Sequence, residues 1–318
     1  MKYIAKKFGS LILTLLLVSF LSFFAFSVFP GDAAKSQLGT EATPERIEAL
    51  QKEMGLDRPV FERYASWVAG FFHGDLGTSY SYSMPVTDLI RDKVPITITI
   101  TIIAFLMILA VSIPIGIFTA QHAGGHLDRL IMTLNQVIMS VPGFFIGILI
   151  TYFFGLILKC FQPGAYVSIS ENFTAFVGYL VAPSAAIALP RCAMAVKMLR
   201  SSVLSQMDAD YVRTAYSRGN SARRVMYHHV LKNALIPVLT FWGMTIADIV
   251  ANSIILEQVF SIPGMGSLLI TSISNRDYPV VQGILVLIAA LVIIINFAVD
   301  LLYGRIDPRI RVKDGKEL

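Results

Sequence analysis

Six long apolar stretches constrain this 318-residue chain more than any other feature of its sequence. A helix needs roughly 20 residues to cross the hydrocarbon core of a bilayer, and each stretch reaches that length. None of them shows the short alternation of polar and apolar residues that is typical of membrane barrel strands. The predicted fold class is therefore an all-α integral membrane protein with six transmembrane helices. The stretches cover about residues 9–29, 96–120, 131–158, 174–198, 235–256 and 280–303.

The composition agrees with this interpretation. Hydrophobic residues make up 55% of the chain and charged residues only 15%, and the mean hydropathy is +0.67. An ordinary soluble domain does not reach these values. Two cysteines, Cys160 and Cys192, are too few and too far apart to indicate a disulfide framework or a metal site.

The distribution of Lys and Arg predicts the orientation of the spans. Basic residues near span ends stay in the cytoplasm. Fifteen of them lie in the N-terminus, the 121–130 loop, the 199–234 loop and the tail, whereas the two short loops of the other face hold only Lys159 and Arg276. We therefore expect a multi-pass protein with both termini in the cytosol. The 30–95 segment does not overturn this count, because long loops translocate largely regardless of charge.

The spans divide the chain into four predicted regions. Residues 1–29 form the first transmembrane helix, because the apolar run is longer than that of a cleaved signal peptide. Residues 30–95 form an extracytoplasmic segment. Residues 96–303 form a five-helix core that includes the cytoplasmic loop 199–234, and residues 304–318 form a cytoplasmic tail.

The 30–95 segment carries the signals of two short helices. Thr43 followed by Pro44 is typical of a helix start, and Gly55 stands where a helix end would be. A second helix begins near Pro59 and has one apolar, aromatic side. We expect a lid packed on the helix bundle, in preference to a segment that contacts a solute directly.

The 199–234 loop is polar, basic and helical in its periodicity. Met207, Tyr211, Thr214 and Ala215 share one helical face, Gly219 can end that helix with a left-handed residue, and Ser221 can cap the next. This pattern predicts a compact helical knob between two spans. Such a knob can receive force from a soluble partner, or it can rest on anionic membrane lipid. Periodicity leaves both alternatives open.

Particular residues of this loop decide between them. The sequence Tyr211-Val-Arg-Thr-Ala215 with Gly219, His229 and Asn233-Ala-Leu-Ile-Pro237 resembles the signature loop of ATP-binding-cassette importer permeases, in the dipeptide, oligopeptide and nickel branch. Further matches, in order and at the family's spacing, extend the resemblance to both ends of the chain. They are Thr43–Asp57, Gly74–Gly77, Glu257–Gly266, Asn275–Gly283 and Asp307–Arg311.

The resemblance implies a type I permease fold and a set of partners. A second homologous permease subunit would complete the pathway, two cytosolic ATP-binding subunits would supply energy, and an extracytoplasmic solute-binding protein would deliver the solute. It also implies the inner membrane of a bacterial cell and no nucleic-acid partner. Arg213 stands where the general motif has an acid, so a salt bridge from that acid is not carried over. The residues that the resemblance assigns to ATPase coupling are Asp210, Tyr211, Arg213, Thr214, Ala215, Gly219, His229 and Pro237.

No catalytic chemistry is indicated on the chain itself. It lacks a Gly-x-x-x-x-Gly-Lys-Ser/Thr loop, so ATP and Mg²⁺ are expected on the partner subunits and no cofactor on this chain. His122 and His126 have the spacing of a ligand pair, but they flank two glycines in a short loop and indicate solvated turn residues. We predict a transport subunit and not an enzyme.

Charged residues inside the spans are the candidates for the translocation pathway. An unpaired charge at mid-bilayer costs at least ~2.5–3.5 kcal/mol and must face protein or water. Arg191 and Asp248 sit at comparable depth in neighbouring spans, so they can line a cavity that holds a zwitterionic or charged solute, or lock two helices together. Asn252 and Glu257 extend a polar stripe outward from Asp248.

The predicted function is therefore the permease subunit of an ATP-driven importer for dipeptides, oligopeptides or similar small solutes. Uptake of nickel or another metal as a chelate is the alternative within the family. A stand-alone channel or secondary transporter is disfavoured by the loop and by the lack of a visible inverted repeat with broken helices. A scaffold without transport leaves Arg191 and Asp248 unexplained.

Overall fold

The computed structural model describes residues 2–28, 33–38 and 42–306 of the chain. Within these ranges the chain is helical, and the only β pairing is an isolated antiparallel bridge between Thr78 and Pro85. The all-α prediction is confirmed. Most of the predicted tail, with the Asp307–Arg311 motif, lies outside the described residues.

The structure consists of helices that follow one another along the chain. In the described part they are α1 (Lys2–Val28), α2 (Ala33–Leu38), α3 (Pro44–Glu53), α4 (Val60–Phe72), α5 (Val86–Arg91), α6 (Val94–Gln121), α7 (His126–Ser140), α8 (Gly143–Ile150), α9 (Phe173–Met207), α10 (Asp210–Ser217), α11 (Ala222–Arg224), α12 (Leu231–Val259), α13 (Met265–Ser274) and α14 (Tyr278–Ile306). Two π-helical stretches, Thr151–Ile157 and Val225–Val230, extend α8 and join α11 to α12.

Five of the predicted crossings lie in single long apolar helices, namely α1, α6, α9, α12 and α14. The third, predicted over 131–158, is not one straight helix. There α7 and α8, with its π-helical extension, meet at a bend of 98°. The cause is local: a residue before proline is driven out of the helical region, and Val141, before Pro142, is extended with φ −95° and ψ 126°. The count of six crossings holds if this bent pair is one span.

The chain forms two compact units, one of Met1–Ile98 with Ile262–Ile294 and one of Thr99–Ser261 with Ile295–Leu318. In the first unit α4 packs on α1. The hydroxyl of Tyr64 lies 2.8 Å from Ser19 Oγ and donates to the Leu16 carbonyl at 3.1 Å. The segment contains α3 and α4 where the two short helices were expected, together with α2 and α5, and α4 lies against α1.

The second unit is built on α9 and α12, which pack along each other, with α7 and α8 against α9. The approach is close at Gly147 of α8, where a Cβ atom would lie 2.6 Å from the Leu256 side chain of α12. Any larger residue at this position must displace that leucine. Glycine thus permits the close approach of α8 and α12 at this position.

Candidate functional site

The predicted knob begins with α10, which follows α9 after two residues. Helix α9 runs on to Met207, so Met207 belongs to the spanning helix and not to the short one as predicted. The buried face of α10 is formed by Val212 and Ala215, whereas Thr214, which was predicted on that face, is exposed. Val212 lies one turn before Ala215 and is more apolar than Thr214, so Val212 takes the buried position and Thr214 does not.

The outer face of α10 is polar. Asp210, Arg213 and Thr214 are exposed, and Tyr211 is half-buried and donates its hydroxyl to Gln206 Oε1 of α9 at 2.9 Å. Helix α10 packs against the π-helical stretch Val225–Val230. The helix thus presents charge and hydroxyl groups outward while its apolar side is used inside the chain.

The end of α10 has the predicted left-handed geometry. Gly219 has φ +79°, a conformation that costs an L residue roughly 1–2 kcal/mol. The side chain of Asn220 donates to the Ala215 carbonyl at 2.9 Å, and Ser221 Oγ accepts from the Arg224 amide at 3.4 Å. The knob is therefore closed at its C-terminal end by hydrogen bonds of its own.

Two other residues that the resemblance assigned to coupling lie farther along the chain. His229 is half-buried in the π-helical stretch, and its carbonyl accepts from Asn233 Nδ2 at 3.4 Å. Pro237 is exposed on α12 near its start. Neither residue makes a hydrogen bond to α10 in the part of the chain that the structure describes. His229 belongs to the π-helical stretch that packs against α10, whereas Pro237 lies on α12.

The structure pairs Arg191 of α9 with Asp248 of α12. Arg191 Nη2 lies 3.3 Å from Asp248 Oδ2, and the side chains are 30% and 52% exposed. The contact is single and long for a charge-assisted hydrogen bond. The pair therefore joins the two central helices and at the same time leaves both charges accessible from a surface that this chain does not cover.

The predicted polar stripe along α12 is only partly brought together. Asn252 is half-buried and donates its amide to the Asp248 carbonyl at 2.7 Å, one turn away. Glu257 is fully buried. Nine residues at 100° per residue place it on the side of α12 opposite to Asp248, so it does not share that surface.

A second ion pair was missed by the sequence analysis. Arg200 of α9 donates from Nε and Nη2 to the two carboxylate oxygens of Asp128 on α7, both at 2.7 Å, and Asp128 also accepts from the Gly124 amide at 2.8 Å. The side chains are 23% and 3% exposed. In the sequence, Arg200 was only one of the basic residues from which the orientation of the spans was predicted. The available signal was Asp128, an acid in the first turn of α7 within an otherwise basic connection.

A buried carboxylate in the first unit was missed as well. Asp277, fully buried, accepts from Ser79 Oγ at 2.5 Å and from the backbone amides of Tyr80 and Ser81 at 3.0 and 3.1 Å. Burial raises the pKa of the Tyr80 phenol above its usual value, and the Asp277 carboxylate adds to that rise. Asp277 thus holds the end of the 30–95 segment to the connection between α13 and α14.

A cavity of about 860 Å³ lies beside the contact between Ser79 and Asp277 in the first unit. Its lining carries both signs of charge, with Arg58 and Arg63 as cations and Glu53 and Asp75 as anions. Among the described residues no group of three or more His, Cys, Asp or Glu side chains is arranged to hold a metal ion.

Comparisons with known proteins agree with these observations. The family model of binding-protein-dependent transport system inner membrane components matches residues 112–312, and the model of the N-terminal region of such membrane components matches residues 1–101. Both models together cover nearly the whole chain.

Curated relatives match over their full length. A probable peptide ABC transporter permease of Sinorhizobium fredii is 33% identical over 97% of this chain and 99% of its own. A putative peptide transport system permease of Brucella abortus is 36% identical over 97% and 98%. The dipeptide transport system permease DppB of Escherichia coli K12 is 32% identical over 98% and 99%.

A solved structure shares the fold. The MetNI methionine ABC transporter, in an inward-facing conformation, matches with a TM-score of 0.56 at 17% identity, over 69% of this chain and 96% of that one. The type I permease fold is therefore confirmed. The chain belongs to the family of binding-protein-dependent transport system inner membrane components, and it is a multi-pass inner-membrane permease of an ABC importer, a transport subunit and not an enzyme.

Proposed function

We propose that this permease imports dipeptides or short oligopeptides. It forms half of the translocation pathway, with a second homologous permease as the other half. The observation that carries the peptide assignment is the full-length similarity to relatives named as peptide and dipeptide permeases, at 32–36% identity. A solute-binding protein delivers the peptide outside, and two ATPase subunits, with their ATP and Mg²⁺, act in the cytosol.

The orientation follows from the charge distribution. Fifteen Lys and Arg residues lie in the N-terminus, the 121–130 loop, the 199–234 loop and the tail, whereas the short loops of the opposite side hold two. Basic residues near span ends stay in the cytoplasm. Both termini and α10 are therefore cytoplasmic in this proposal, and the 30–95 segment is extracytoplasmic.

Helix α10 is the proposed contact with an ATPase subunit. Its apolar residues Val212 and Ala215 are buried within the chain, which leaves a polar outer face. A helix that rests on a membrane needs its apolar side free for the acyl region, so this arrangement favours a protein partner over lipid. Tyr211 ties α10 to α9, and movement of the docked ATPase would be passed to a spanning helix.

Arg191 and Asp248 are the proposed contact with the solute. A half-exposed ion pair cannot face lipid without a large cost, so its open side faces water or the second permease. A peptide with free termini carries a carboxylate that suits Arg191 and an ammonium group that suits Asp248. When such a peptide binds, its two charged termini can replace the Arg191–Asp248 contact, so that each charge keeps a partner of opposite sign. Asn252 adds an amide one turn away.

Uptake into proteoliposomes tests this proposal. The purified complex with its binding protein is supplied with labelled dipeptides, longer peptides or a nickel chelate, with and without trapped ATP. We expect ATP-dependent accumulation of dipeptides or short oligopeptides. ATP-dependent accumulation of the nickel chelate alone would replace the peptide assignment. Equal flux without ATP or partners would favour a channel or secondary carrier.

A further inference from the structure

We propose that the Asp128–Arg200 pair is a positioning device that makes α7 move together with α9 when the ATPases displace α10. This inference rests on the proposed function, because it needs α10 to be the ATPase contact. It assigns a role in coupling to two residues that touch neither solute nor nucleotide.

The geometry of the pair is that of a rigid joint. Two parallel N–H···O contacts of 2.7 Å fix both the distance and the angle between the guanidinium group and the carboxylate. The Gly124 amide donates a third hydrogen bond to Asp128 at 2.8 Å. Asp128 lies in the first turn of α7, where the helix dipole also favours its negative charge. The α6–α7 connection, the start of α7 and α9 are thereby joined at one carboxylate.

The joint lies close to α10 along an unbroken helix. Arg200 stands seven residues before Met207, the last residue of α9, which is about 10 Å at 1.5 Å per residue. Between them Gln206 accepts from the Tyr211 hydroxyl of α10 at 2.9 Å. A displacement of α10 therefore reaches Arg200 through the two-residue connection and one hydrogen bond, and then along about two turns of α9.

The other side of the joint leads toward the centre of the second unit. Helix α7 passes through the 98° bend into α8, and α8 contacts α12 at Gly147 and Leu256. Helix α12 carries Asp248 of the proposed solute contact. Near the joint, Ser202 of α9 also donates to the Ala234 carbonyl of α12 at 2.7 Å. Movement of α9 is thus passed to α7 by the ion pair and to α12 by a separate contact.

Arg200→Lys in the assembled transporter tests the role. Lysine keeps the positive charge but cannot form the paired N–H···O contacts, so the angle between α7 and α9 is no longer held. ATP hydrolysis and labelled dipeptide uptake are measured in the same proteoliposomes. We expect the ATP hydrolysed per dipeptide accumulated to rise about 5- to 10-fold. Arg129→Lys is the matched control, because Arg129 is exposed next to Asp128 and its replacement should leave this ratio unchanged.

The outcomes separate this inference from the proposed function. If the wild-type complex shows no ATP-dependent uptake, the proposed function fails before the variants are compared. If wild type is coupled and Arg200→Lys lowers uptake and hydrolysis in equal proportion, the pair serves only stability and the inference is overturned. Asp128→Glu, which keeps both charges and changes only the length, replaces Arg200→Lys if that variant does not assemble. Failure of both variants to assemble also overturns the inference.

Discussion

Two arginine–aspartate pairs join helices of the second unit in different ways. Asp128 and Arg200 make two contacts of 2.7 Å and are mostly buried, whereas Arg191 and Asp248 make one contact of 3.3 Å and are 30% and 52% exposed. In the first pair both carboxylate oxygens of Asp128 accept hydrogen bonds from groups of its own chain. The second has donor and acceptor capacity left over on an open side. In the proposed roles, the same two residue types serve as a fixed joint between helices in one place and as a contact for the solute in the other.

The largest difference between the pairs should appear in stability. Asp128→Ala leaves the Arg200 guanidinium and the Gly124 amide without their shared acceptor. We expect a loss of about 3 kcal/mol, at the low end for a broken buried pair because Arg200 keeps some access to water. Thermal unfolding of the purified complex measures it. Asp208→Ala, at an exposed aspartate, is the control and should change stability little. Equal losses for both variants would contradict the distinction.

The open pair should matter for transport and not for stability. Arg191→Gln with Asp248→Asn removes both charges at similar size, and we expect unfolding to change by less than about 1 kcal/mol. Dipeptide uptake should fall about 10-fold, which corresponds to about 1.4 kcal/mol of lost interaction. Lys197→Gln removes another, exposed charge of α9 and should retain uptake. A double variant that fails to assemble with its partners would make this pair a structural lock like the first.

A smaller effect is expected at the end of α10. Gly219→Ala introduces a Cβ atom at φ +79°, which costs about 1 kcal/mol or is relieved by a shift of the helix end. We expect weaker retention of the ATPase subunits, measured by co-purification at increasing dilution. Gly178→Ala, at a helical glycine with open space around it, should retain them fully. Unchanged retention in Gly219→Ala would separate α10 from the docking surface.

The smallest effect on stability should follow from loss of the Ser202–Ala234 hydrogen bond, which lies near the Asp128–Arg200 pair. Ser202→Ala removes the hydrogen bond to the Ala234 carbonyl of α12 and should cost about 0.5–1.5 kcal/mol of stability. Chemical denaturation of the complex measures it, with Ser201→Ala, at an exposed serine, as the control. A loss larger than that of Asp128→Ala would mean that α9 is held mainly by α12 and not by α7.

Local rules predicted much of the fold, because they act over a few residues. The apolar length of the spans, the left-handed Gly219 and the Ser221 cap all depend on neighbours in sequence, and the structure contains them. The sequence does not predict the size of the 98° bend before Pro142, because prolines are tolerated within many spanning helices and the apolar run continues through the break.

Contacts between distant residues were harder to predict. Asp128 and Arg200 are 72 residues apart and Ser79 and Asp277 are 198 apart, so no periodicity within one helix relates them. Arg191 and Asp248 were accessible to prediction because charges are rare within spans and their depths could be compared. Glu257 shows the limit of that argument, since depth along a helix does not say which face a residue occupies.

The place of Arg191 and Asp248 on the translocation pathway is tested most directly by whether these two residues face water. In a variant with Cys160 and Cys192 replaced by serine, Asp248→Cys is treated with a membrane-impermeant thiol reagent, with the complex at rest and with nucleotide trapped. We expect labelling at a rate that differs between the two states, while Ser253→Cys, at a fully buried position of the same helix, stays unlabelled. Absence of labelling at residue 248 in both states would contradict a place for the Arg191–Asp248 pair on the translocation pathway.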